Sequence, residues 1–252
     1  MPAALPAWVL ALGLAVMLAG AARAQDPRED PERFQAAQPV PPGGMARWPA
    51  VGRLARTLAP DPDEMICTAT LVAPDLVITA GHCLPRSGSP SVARRRLFAA
   101  GYQDGAAAAV SAGRYVVQST LASDPVTGLA LLRLATPLPA DTVAPMPLAA
   151  PPEGITPFTI IAYRNSDRAR PVALPGCPGR ITGPTTVQVD CPVVSGNSGA
   201  PLLVETAAGP ALVAVITAHT RGGPRRQALA TRIPGDLLRL IAEDRAAALP
   251  PP

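Results

Sequence analysis

The segment Ser195-Gly196-Asn197-Ser198-Gly199-Ala200-Pro201 sets Ser198 beside Gly199 and two residues after Gly196, just before the apolar Leu202-Leu203-Val204. A nucleophilic serine needs such surroundings. Its backbone turns sharply, a flanking glycine relieves the crowding, and a neighbouring N–H must face the carbonyl under attack. The hydroxyl alone is a poor nucleophile and needs a base. Of the two histidines, His82 lies in the run Ile78-Thr79-Ala80-Gly81-His82-Cys83, and His219 ends Val215-Ile216-Thr217-Ala218-His219. Taken alone, His82 reads as an ordinary histidine beside a cysteine, and Ser198 as part of a glycine-serine surface turn. The apolar strand after Pro201 argues against the surface turn.

Taken together and in this order, Thr79-Ala80-Gly81-His82-Cys83 and Gly196-Asn197-Ser198-Gly199 resemble the chymotrypsin-fold (trypsin-like) serine peptidases. The Gly-Asn-Ser-Gly form is most similar to the bacterial glutamyl-endopeptidase, or V8-like, branch. The resemblance implies an acyl-enzyme mechanism. Ser198 would attack, and His82 would act as base and then acid. The N–H groups of Gly196 and Ser198 would form the oxyanion hole. It also implies a carboxylate that holds the histidine. The family places this aspartate at the start of an Asp-x-Ala-Leu-Leu strand, where this chain has Gly128-Leu129-Ala130-Leu131-Leu132. Loss of that acceptor costs on the order of 10⁴ in rate in chymotrypsin-type enzymes. Asp124, in Asp124-Pro125-Val126-Thr127, is the nearest substitute, because an Asp-Pro turn can fold back toward the strand. A plain turn-capping role for Asp124 is the equal alternative. Asp104, Asp141, Asp167 and Asp190 have less positional support.

Further departures bear on activation and specificity. Asn197 stands where trypsin has the aspartate that pairs with a newly cut N-terminus, so activation by that ion pair is not expected. Pro192 occupies the place of trypsin's pocket aspartate, which removes the basis for Arg/Lys selection. His219 falls three residues beyond the histidine of glutamate-selective relatives, and reads as pocket rim or surface loop.

The elements that must position these residues are short. Strand-like runs recur at 67–72, 76–79, 114–118, 129–134, 158–163, 186–189, 201–205, 211–217 and 227–233, with the first strand expected within 48–54. The 33 prolines and 21 glycines of the 252 residues exclude a long-helix protein. Aromatics are only 3% of a chain that is 48% hydrophobic, so Ala, Val, Leu and Ile must build the core. The strand-like runs read as an all-β barrel or sandwich, and the resemblance implies the all-β fold of two packed six-stranded antiparallel β-barrels, chymotrypsin-like, with the active site between them. The N-terminal barrel is placed at about 47–140 and the C-terminal barrel at about 150–235. A terminal helix at 236–247, with Leu237, Leu240 and Ile241 at helical spacing, is expected on the second barrel.

Residues 1–24 read as a signal peptide ending in Ala22-Arg23-Ala24, with a retained membrane anchor as the alternative. The polar stretch 25–46 has little to bury and reads as linker or propeptide. Four cysteines in an exported chain imply two disulfides in one of three connectivities. Proximity favours Cys67–Cys83 and Cys177–Cys191. Zinc binding competes, but no Cys-x-x-Cys spacing exists. The net charge of +4 rests on 22 basic residues, all arginine. They are scattered, with Arg94-Arg95-Arg96 the one compact run, so a nucleic-acid partner is not expected. The reading is a secreted or periplasmic serine endopeptidase acting on a protein or peptide substrate. It needs no metal or organic cofactor, and it is not stably inserted in a membrane once the signal is removed. A catalytically impaired homologue that binds a protein partner is the rival, favoured by Gly128.

Overall fold

The computed structural model describes residues 37–59, 64–84, 96–118, 128–220 and 227–247. Six antiparallel strands close the first barrel in the order β2 (Val51–Ala55), β3 (Cys67–Ala73), β4 (Leu76–Ala80), β7 (Leu129–Leu134), β6 (Ala109–Gln118) and β5 (Arg96–Ala100). The second closes in the order β8 (Thr156–Arg164), β9 (Asp167–Ile181), β10 (Thr186–Pro192), β13 (Gln227–Arg232), β12 (Gly209–His219) and β11 (Pro201–Thr206). The expected pair of six-stranded barrels is therefore present.

Val, Ile and Leu on alternating positions fill the barrels, and where strands face the other barrel both faces are buried, as along β2 and β4. The scarce aromatics are spent on close contacts. Phe98 lies against Gly52 and Phe158 against Gly179. A Cβ on either glycine would come within 2.4 Å and 2.8 Å of the respective ring. The main core runs continuously from the first barrel into Ile161, Leu203, Leu212 and Val215 of the second. The barrels thus share buried apolar surface, which fixes the seam between them.

Two segments depart from expectation. Of the 25–46 stretch read as linker or propeptide, residues 37–46 belong to the fold. Gln38–Pro39 form β1 on the edge of β9, and Val40 and Met45 are buried. The polar composition hid two apolar anchors. The helix α1 (Gly235–Ala247) packs on the first barrel, not the second. Leu237 and Ile241 join the main core. Arg245 donates to the carbonyls of Val72 and Met146 at 2.6 and 2.7 Å, and Asp244 accepts from Arg133 of β7 at 3.0 Å. An apolar stripe identifies a buried face but not what covers it.

Candidate active site

β4 delivers His82. The strand ends at Ala80, and a single 3₁₀ turn, Gly81–Cys83, carries the histidine out of the barrel. Two ties hold that turn. Cys83 is bonded to Cys67 at the start of β3. The Gly81 N–H donates to the Gly128 carbonyl at 2.6 Å, just before β7. Gly128 is buried directly against the histidine turn. Asp124 lies outside the described residues.

Ser198 sits in the turn between β10 and β11, half-buried. Its loop is fixed from both barrels. The Thr68 N–H donates to the Ser198 carbonyl at 2.8 Å. The Thr68 hydroxyl donates to the Gly196 carbonyl at 3.0 Å and accepts from the Tyr163 N–H at 2.9 Å. Thr68 O in turn accepts from the Thr79 hydroxyl at 2.8 Å. The histidine turn and the serine loop are thereby anchored to consecutive residues, Cys67 and Thr68.

Gly196 has φ +101° and Gly199 φ +81°, conformations that residues with a Cβ rarely adopt. Space forbids a side chain as well. A Cβ at Gly199 would lie 2.0 Å from the Thr68 carbonyl, and one at Gly196 would lie 2.8 Å from the backbone of Arg164. Between Gly196 and Ala200, the N–H groups of Asn197, Gly199 and Ala200 donate to the carbonyls of Val194, Ile216 and Asn197. Those of Gly196 and Ser198 have no acceptor among the described residues. The loop therefore leaves unspent the two donors that an oxyanion requires.

Asn197 is buried and internally satisfied. Its side-chain carbonyl accepts from the Val194 N–H at 2.8 Å, and its amide donates to the Tyr163 carbonyl at 2.9 Å. Tyr163 is itself buried, and its hydroxyl donates to the Tyr102 carbonyl at 2.6 Å. Burial raises its pKa well above the ordinary phenol value.

The His82 side chain reaches solvent, yet protein packed around the ring desolvates it and lowers its pKa from 6.5. Neither the His82 ring nor the Ser198 hydroxyl makes a hydrogen bond among the described residues. Without substrate such bonds are commonly long and tighten only in the reacting complex. The Cys177–Cys191 disulfide joins β9 to β10, below the strand that leads into the serine loop. Both disulfides match the pairing favoured from the sequence. His219 is exposed at the end of β12, where its Nδ1 lies 3.1 Å from the Thr220 carbonyl. Pro192, exposed, ends β10. The sequence pattern did not mark Thr68, because a lone threonine inside a strand carries no motif.

Residues 67–214 match the family model described as a trypsin-like peptidase domain. Similar solved structures include a thermostable serine protease, AL20, from an extremophilic microorganism. It has a TM-score of 0.62 at 20% identity, over 81% of this chain and 98% of that one. A Glu endopeptidase aligns with a TM-score of 0.61 at 18% identity, over 80% and 92%. The protease Anisep from Arthrobacter nicotinovorans aligns at 0.59 and 17%, over 79% and 96%. At these identities the structures speak for the fold, and the family match extends over more than half of the chain. With the serine loop, the histidine turn and the paired barrels in place, the chain belongs to the trypsin-like peptidase family.

Proposed function

We propose that the protein is an exported serine endopeptidase that cleaves peptide bonds through an acyl-enzyme on Ser198. His82 takes the serine proton and later gives it to the leaving amine. The N–H groups of Gly196 and Ser198 hold the oxyanion. The observation that carries this reading is the serine loop's hydrogen bonding. Within Gly196–Ala200 its spare donors are those two N–H groups, with Gly196 at φ +101°. A loop kept only for binding has no need of that arrangement.

His82 still needs a partner for its second nitrogen, and Asp124 is the proposed carboxylate. The lack of acid at Gly128 supports the second reading, a homologue of reduced or lost activity whose cleft binds a protein. Export through a signal at 1–24, with delivery to the periplasm or the medium, accords with two disulfides. No helix among the described residues is long and apolar enough to cross a membrane. Basic-residue selection is not expected with Pro192 in the pocket.

A fluorophosphonate probe tests the activity, because it reacts quickly only with an activated hydroxyl. Labelling of the full-length exported protein that vanishes in Ser198→Ala and in His82→Ala supports the peptidase. A folded wild-type protein that does not label selects the binding homologue.

A further inference from the structure

Beside the serine loop, at the seam of the two barrels, lies a cavity of about 740 Å³. Its walls include Arg53, Glu64, Ile66, Tyr102, Asn165 and Arg168. It adjoins the catalytic centre through Asn165. The Asn165 N–H donates to the Ser195 carbonyl at 2.9 Å, and its side-chain carbonyl accepts from the Ile66 N–H at 2.9 Å. Asn165 is thus both a wall of the cavity and a support of the serine loop.

Arg53 is the unusual member of this wall. It is 4% exposed and has no carboxylate partner among the described residues. Its guanidinium donates only to two backbone carbonyls, Arg168 at 3.2 Å and Thr57 at 3.0 Å, and stacks 4.3 Å from the Tyr102 ring centre. Its Nε–H is buried with no acceptor. Buried charges are ordinarily paired, since desolvating an uncompensated ion is costly. The described acids on the same wall, Glu64 and Asp167, are already engaged. Glu64 accepts from the Arg56 N–H and lies 3.6 Å from the Arg56 guanidinium. Asp167 accepts from the N–H groups of Ala169 and Arg170. An arginine held by carbonyls and an aromatic face presents a fixed fork that matches a carboxylate.

We propose that this cavity is a substrate subsite for a carboxylate, with Arg53 as its specificity-determining residue. The inference rests on the peptidase reading of the adjoining site. The carboxylate is either an Asp or Glu side chain or the free C-terminus of a peptide. Both sources offer the same two oxygens to the guanidinium.

Binding to full-length Ser198→Ala protein, measured by calorimetry, tests the proposal without needing turnover. Peptides with a glutamate at successive positions are compared with glutamine counterparts, and a free C-terminus with its amide. The carboxylate form is expected to bind roughly ten- to a hundredfold more tightly, as a charge-assisted bidentate contact would give. A preference for glutamate at one position assigns the side chain. A preference for the free acid assigns the C-terminus. Arg53→Gln should erase the preference, and Arg53→Lys should restore part of it. Equal binding of acid and amide in the Arg53 protein, no binding of either, or a preference that survives Arg53→Gln overturns the proposal. The acid-amide comparison holds even where Arg53→Gln does not fold. Probe labelling of Ser198 separates the two readings. Labelling without carboxylate preference defeats this subsite alone, and carboxylate preference without labelling defeats the peptidase alone.

Discussion

Thr68→Val replaces the hydroxyl that links the two barrels with a methyl of nearly the same shape. The Thr68 N–H to the Ser198 carbonyl survives, because it belongs to the backbone. Two buried groups lose their partner: the Gly196 carbonyl and the Tyr163 N–H. Each orphaned buried group costs about 1–3 kcal/mol, so the variant should lose about 2–6 kcal/mol of stability. That is a large share of a typical total of about 5–15 kcal/mol. Freeing the Gly196 carbonyl also loosens the Gly196–Asn197 peptide, which adjoins the Ser195–Gly196 peptide that carries the proposed oxyanion donor, and so disturbs that donor's aim. Removing one such donor costs about 10²–10³ in kcat. Urea unfolding followed by circular dichroism should show a lower midpoint at unchanged slope. Turnover, measured well below that midpoint, should fall mainly in kcat. Thr68→Ser keeps the hydroxyl and should recover most of both losses. A valine variant with wild-type midpoint and kcat would refute the claim that this hydroxyl sets the geometry of the serine loop.

Other perturbations probe the rest of the site. Asp124→Asn should reduce kcat by several orders of magnitude at intact fold if Asp124 serves His82, and by little if it only caps a turn; steady-state kinetics separates the two. Gly128→Asp should raise activity strongly if the natural protein lacks a working carboxylate, and should raise the pKa of His82 in an NMR titration. Because desolvation holds the folded His82 pKa below 6.5, activity should rise with pH through a midpoint below that value. On the same basis the unfolded chain binds more protons below pH 6.5, so stability should fall as pH drops through that range; a kcat/KM profile and unfolding midpoints across pH 4–8, a range of roughly four units around the imidazole pKa, check both. N-terminal sequencing of exported protein should find a start at or before Ala37, because trimming to Trp48 would remove β1 and the buried Val40 and Met45.

What the sequence made legible follows from how locally each feature is encoded. Strands such as Leu129–Leu134 and Thr186–Pro192 carry runs of β-branched and aliphatic residues, and periodicity finds them. β9 escaped that reading because Pro171, Pro175, Pro178, Gly176 and Gly179 resemble loop punctuation. The strand tolerates them by breaking step. Phe158 pairs with Cys177 and Ile160 with Leu174, which leaves Pro175 and Gly176 in a bulge with Gly176 at φ +67°. β5 was missed because Arg96–Ala100 contains two alanines and follows an arginine run. Ser198 and His82 were legible because catalytic loops require glycines at fixed offsets. Thr68 and Arg53 act through what folds against them, and no local spacing announces that.

The crossed ends of the fold bear on how the chain comes to be built. Residues ahead of the first barrel pair with β9 of the second, and Gln103 of the first barrel donates to the carbonyls of Val40 and Pro41 at 2.8 and 2.9 Å. α1, which follows the second barrel, closes over β3 and β7 of the first. A ribosome emits these parts in order, so the first barrel cannot reach its native packing until α1 has emerged. The earlier strands remain unsealed throughout synthesis, with most of their pairings non-local and therefore slow to form. Such delay would keep the polypeptide threadable, as the export proposed above requires.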